Sequence, residues 1–158
     1  MGKIELPETV KVAKVYLAPS TTVLTYAKIP IEIGEDEVAL LMAVKWISQN
    51  NVANVLTSWI WKRSYPNVDP RIPARFDEDS NVIDYEQYYR VIDTNVGAYE
   101  GSRTRYYVLP YPMVLIRSPQ LVTQATVSGV SMVNLICWYV NQKVTDAQLA
   151  ELMVKDHA

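Results

Sequence analysis

Asp77, Asp79 and Asn81 stand at alternate positions in "DEDSNVIDYEQ" (77–87), the spacing with which a calcium loop opens its ring of oxygen ligands. The remainder of such a loop is missing. Val82 occupies the position where the chain needs Gly for a sharp turn, and Tyr88 the position of the closing bidentate Glu. A solvated acidic loop is therefore expected rather than a metal site. The same stretch offers Asp84 and Glu86 as a general acid and base, and Glu35, Asp36 and Glu37 cluster in a second acidic turn. Glycoside hydrolysis needs two carboxylates converging across a cleft, which spacing along one segment does not provide. Nucleophilic catalysis would have to use the single His157, next to the last residue, or the single Cys137 inside the apolar run "VNLICWYV". One His and one Cys also fall short of a structural zinc site. The five glycines form no phosphate-cradling loop, so neither an enzyme nor a cofactor is expected.

The loudest residues are aromatic. In "TSWIWKRSYP" (57–66), Trp59 and Trp61 lie two apart, followed by Lys62 and Arg63. Exposed, such a pair stacks sugars or bases; buried, it is one face of a strand. Alternation puts Val55, Thr57, Trp59, Trp61, Arg63 and Tyr65 on one face and Leu56, Ser58, Ile60 and Lys62 on the other. The first face is bulkier and Trp is highly buried on average. Trp59 and Trp61 are thus expected in the core between sheets, with Ser58 and Lys62 toward water.

The elements that would position these residues are mostly strands. Runs at 10–18, 22–33, 37–48, 54–65, 84–93, 104–119, 120–129 and 130–142 are separated by turn residues. About eight such runs indicate an antiparallel sandwich or barrel. In the last run, Val133, Leu135, Cys137 and Tyr139 share a face. "EVALLMAVKWIS" (37–48) reads two ways: Val38, Leu40, Met42, Val44 and Trp46 fit period two, whereas Leu40, Ala43, Val44 and Ile47 fit a helix. Its strand neighbours favour a strand. At the end, "VTDAQLAELMVK" (144–155) carries Thr145 as N-cap with Gln148 three residues on, a capping box before an apolar stripe of Leu149, Leu152 and Met153, and predicts a helix.

Composition narrows the roles. The chain has 158 residues, reads as one domain over 1–158, and carries a net charge of −2 with dispersed Lys and Arg, so nucleic acid is not an expected main partner. No stretch is apolar enough for a membrane span, and the N-terminal residues lack the apolar core of a secretion signal. Charged residues make up only 20%, while there are eleven Tyr and four Trp. Such a chain has few charges for its outside, so either its surface is polar and tyrosine-rich or part of it is covered by other subunits. The connection 66–81, with Pro66, Pro70 and Pro73, is long for a structureless loop in a compact domain. Its Arg71, Arg75 and Phe76, together with Tyr99 of the next loop, are candidate interface residues.

The order of "GEDEVALLMAVKWIS", "VLTSWIWKRSYP" with its side loop, "YVLPYPMVLIRSPQLVTQATVSGVSMVNLICWYVNQ" and a closing helix resembles the layout of small β-sandwich coat proteins of viruses. The likeness covers most of the chain and rests on no signature motif. It implies a jelly-roll-type sandwich, a role in building a particle shell, and localisation in a virion; otherwise the chain reads as soluble and intracellular. The leading expectation is a structural, self-associating homo-oligomer. A carbohydrate-binding module using Trp59, Trp61 or Tyr99 is the alternative, and an enzyme using carboxylates of 77–86 the third.

Overall fold

The alternating runs become eight strands: β1 (Lys11–Leu17), β2 (Thr25–Lys28), β3 (Glu37–Asn50), β4 (Asn54–Trp61), β5 (Val82–Arg90), β6 (Gly101–Leu115), β7 (Gln120–Ala125) and β8 (Ser131–Lys143). The helix α1 (Asp146–His157) follows. The computed structural model describes residues 9–19, 24–50, 54–62, 72–90, 101–125 and 131–157.

β1 pairs with β8, β2 with β7, β3 with β6 and β4 with β5, all antiparallel. The chain is thus one long hairpin with its arms side by side. Rolling that hairpin adds the pairs β3–β8 and β4–β7 and closes two four-stranded sheets. Sheet I has the order β1-β8-β3-β6 and sheet II the order β2-β7-β4-β5. This double Greek key is the jelly roll, so the expected antiparallel sandwich is what the chain forms.

Between the sheets lies the main core. Sheet I supplies its bulk: Leu41, Val44, Trp46, Val133, Leu135, Cys137 and Tyr139. Sheet II contributes Ile60 and Leu121. Ile29 and Ile31 join this core and are held through their own backbones: the Ile29 amide donates to the Pro119 carbonyl (2.9 Å), and Ser118 Oγ donates to the Ile31 carbonyl (2.7 Å). The Glu32 amide donates to the Tyr139 hydroxyl at 3.1 Å, tying that segment to β8.

The ambiguity of 37–48 has a structural cause. β3 is a strand, central in sheet I, but its register slips between Leu41 and Ala43 against both neighbours. Met42 is the extra residue of a bulge, and opposite it on β6 four residues, Leu109–Pro112, stand between the paired Val108 and Met113. Ala39 and Leu41 face the core before the bulge, Val44 and Trp46 after it. The step of three from Leu41 to Val44 mimics a helical period.

The tryptophans correct the expected facing of β4. Trp59 and Trp61 are fully buried, yet they do not join the intersheet core. They form a separate cluster with Val122 on the outer side of sheet II, against Leu24, Phe76 and Val82. Ser58, expected in water, is buried, and its hydroxyl bonds to that of Thr123 at 3.0 Å. Sheet I already fills the middle of the sandwich with Trp46 and Tyr139, so slim residues of β4 and β7 complete it. The bulky indoles take the opposite face, where the segment after residue 72 covers them. Arg63 and Tyr65 lie outside the described residues.

Candidate interface on the outer face of sheet I

Neighbouring strands of one sheet point their paired residues to the same side. On the outer side of sheet I, Val12 of β1 registers with Trp138 of β8, Trp138 with Ala43 of β3, and Ala43 with Val108 of β6. This row is apolar across all four strands. The next row is Lys14, Ile136, Lys45 and Tyr106; beyond it lie Tyr16, Asn134, Ile47 and Thr104. On the other flank, Val140, Leu40 and Val114 align. Tyr106 meets Trp138 edge to face with ring centroids 5.5 Å apart.

An antiparallel sheet with one wet face ordinarily alternates apolar and polar residues. The outer face of sheet I instead carries two wholly apolar rows, with Lys14, Lys45 and Asn134 in the rows beyond them. That face is only partly covered: α1 stands over one end, where Val38, Leu40, Val114, Val144 and Leu152 line a groove of about 260 Å³. The capping box forms as expected, with the Thr145 amide donating to Gln148 Oε1 (2.9 Å) and the Gln148 amide to Thr145 Oγ1 (3.2 Å). Away from the helix, Val12, Tyr16, Met42, Tyr106 and Val108 remain exposed, Tyr106 and Val108 at 59% each. The outer face of sheet II contrasts with this. There the chain covers its own indoles: Phe76 packs edge-on to Trp59 at 5.3 Å and against Tyr85 at 5.2 Å.

Asp84 and Glu86, suggested for acid–base chemistry, lie elsewhere and are held by arginines. They point from β5 toward the inside, where β5 and β6 form one open side of the sandwich. Arg105 of β6 donates to Asp84 Oδ2 at 2.8 Å, to the Tyr85 carbonyl at 2.7 Å and to Glu86. Arg103 reaches Glu86 Oε1 at 3.1 Å, and Trp46 Nε1 donates to Asp84 Oδ2 at 2.7 Å. Burial opposes the charge of Arg105, but Glu86 and Asp84 outweigh it and hold the guanidinium more firmly protonated than in water. Cys137 deeper in the core is pushed from 9.0 up to about 12, first by burial and then by the nearby negative charge of Asp84. Inward-pointing charges on both edge strands also blunt edge-to-edge pairing. The geometry is that of a latch between sheets.

The acidic loop is likewise self-engaged. Asp79 Oδ1 accepts from the backbone and the side chain of Asn81, at 2.9 and 3.1 Å. Among the described residues, no three His, Cys, Asp or Glu side chains cluster as metal ligands. Of the proposed interface residues, Arg75 is exposed and paired with Glu78 (2.9 Å) and Asp77 (3.6 Å), while Phe76 turns inward onto Trp59. Arg71 and Tyr99 lie outside the described residues, as does the side chain of His157. The exposed residues of β6 went unnoticed in the sequence. Their signal is the run "YYVLPYPMVL", apolar at odd and even positions alike, which no strand with one wet face requires.

No protein-family model matches the chain, and no curated protein matches it. Thirteen chains of solved structures do. One is dimeric latent PorU from Porphyromonas gingivalis, with a TM-score of 0.42 and 9% identity; the match covers 86% of this chain and 13% of that one. No helix among the described residues is long and apolar enough to cross a membrane.

Proposed function

We propose that the chain is a structural subunit that assembles with copies of itself through the outer face of sheet I, in the manner of a shell-building coat protein. One observation carries this reading: an apolar row runs across all four strands on the outer side of sheet I, and Val12, Tyr16, Met42, Tyr106 and Val108 stand exposed along it and beside it. Exposed apolar patches of that extent mark association surfaces in soluble proteins. The jelly roll agrees with a coat role, although the fold alone serves lectins and enzymes too. Against the alternatives, Trp59 and Trp61 offer no face to a sugar, and Asp84 and Glu86 are neutralised by arginines rather than open to a substrate.

Light scattering across a wide range of concentration tests the reading. A mass that grows with concentration is expected. Placing a charge in the apolar row, Val108→Lys, should abolish that growth and leave the unfolding midpoint unchanged, because Val108 is exposed in the single chain. A strictly monomeric wild type would sink the proposal.

A further inference from the structure

β6, an edge strand of sheet I, carries a projection. The four residues Leu109–Pro112 that bulge from β6 opposite Met42 read Leu-Pro-Tyr-Pro. Leu109 is buried in the intersheet core and anchors the excursion at its base. Pro110 and Pro112 fix the backbone on either side of Tyr111. Tyr111 itself is 84% exposed, the most open of the large hydrophobic side chains among the described residues. A rigidly mounted aromatic loses little entropy on docking, and such residues dominate interface energetics. Two residues past that proline, Val114 forms part of the groove between sheet I and α1. Projection and groove are therefore three residues apart along β6.

Resting on the self-association reading above, we propose that two copies of this chain exchange them: Tyr111 of each inserts into the α1 groove of the other. The sizes match, since roughly 150 Å³ suffices for a benzene ring and the groove offers about 260 Å³. Val38, Leu40 and Leu152 in its lining suit the ring; Gln148, and Glu151 already paired with Lys155 at 3.2 Å, can accept the phenol hydrogen. An adjacent projection and recess satisfy the requirement of a two-fold contact, in which residue i meets j and j meets i. The area is also sufficient. At roughly 200 Å² per aromatic side chain, Tyr16, Tyr106 and Tyr111 leave on the order of 400 Å² open. Adding Val12, Met42, Val108 and Val114 approaches the roughly 800 Å² that one partner contributes to a stable interface.

The test uses the full chain and two variants, Tyr111→Ala and Leu152→Arg, followed by sedimentation over a dilution series with circular dichroism to verify folding. Each variant alone should raise the dimer dissociation constant at least roughly tenfold, the scale of a hot-spot aromatic. Their equimolar mixture should associate better than either, because one intact Tyr111 then meets one intact groove. If Tyr111→Ala dimerises like the wild type while Val108→Lys does not, the face is an interface and the exchange is wrong. A mixture no better than its components overturns the exchange as well. A wild type that stays monomeric overturns both the exchange and the self-association beneath it.

Discussion

Single residues show how position overrides type. Trp61 was expected between the sheets and is instead buried on the far side of its own strand, yet its truncation removes a fully enclosed indole all the same. Trp61→Ala should cost about 3–5 kcal/mol, read as a lowered denaturation midpoint. Cys137 gives a pH signature. Its thiol titrates near 12 when folded and near 9.0 when exposed, so the folded state holds the proton longer. That contribution is intact below about pH 9 and disappears as pH rises toward 12. Cys137→Ala should therefore flatten the alkaline fall in stability relative to wild type, measured by denaturant titration at each pH. An equally steep fall in the variant would assign it to other groups.

Elements are held together by a few particular contacts. β5 and β6 are edge strands of different sheets, and Asp84, Glu86, Arg103 and Arg105 join them across the open side of the sandwich. Glu86 is only 4% exposed, so removing Arg105 leaves a buried carboxylate with the half-exposed Arg103 as its remaining cation and takes from Asp84 its cation as well. Arg105→Leu should destabilise by about 3–5 kcal/mol, whereas replacing Arg105, Asp84 and Glu86 together by apolar residues should recover much of the loss. Chemical denaturation of the single and triple variants separates these outcomes. β3 shows the limit of pattern reading at this scale. The bulge at Met42 reverses which parity faces inward, so Val38 and Leu40 lie outside while Val44 and Trp46 lie inside. Period two holds within each half and fails across the whole.

For the whole molecule, the question is what covers sheet I. An apolar interface strengthens with sulfate, which is excluded from protein surfaces, and is little affected by screening. Association through Val12, Trp138, Ala43 and Val108 should accordingly persist or tighten in ammonium sulfate, by light scattering. Dissociation by modest sodium chloride would point to charged contacts such as those of Arg75 instead.

The eight strands, the capped helix and the buried Cys137 were legible in the chain because they depend on local periodicity, capping chemistry and apolar neighbours. Which face of β4 meets the other sheet was not, since two buried faces look alike until a covering segment such as that of Phe76 is placed. Nor were the fate of Asp84 and Glu86 or the prominence of Tyr111. Both depend on strands distant in sequence being brought into register, and that pairing is set by the packing of the whole sandwich rather than by any one segment.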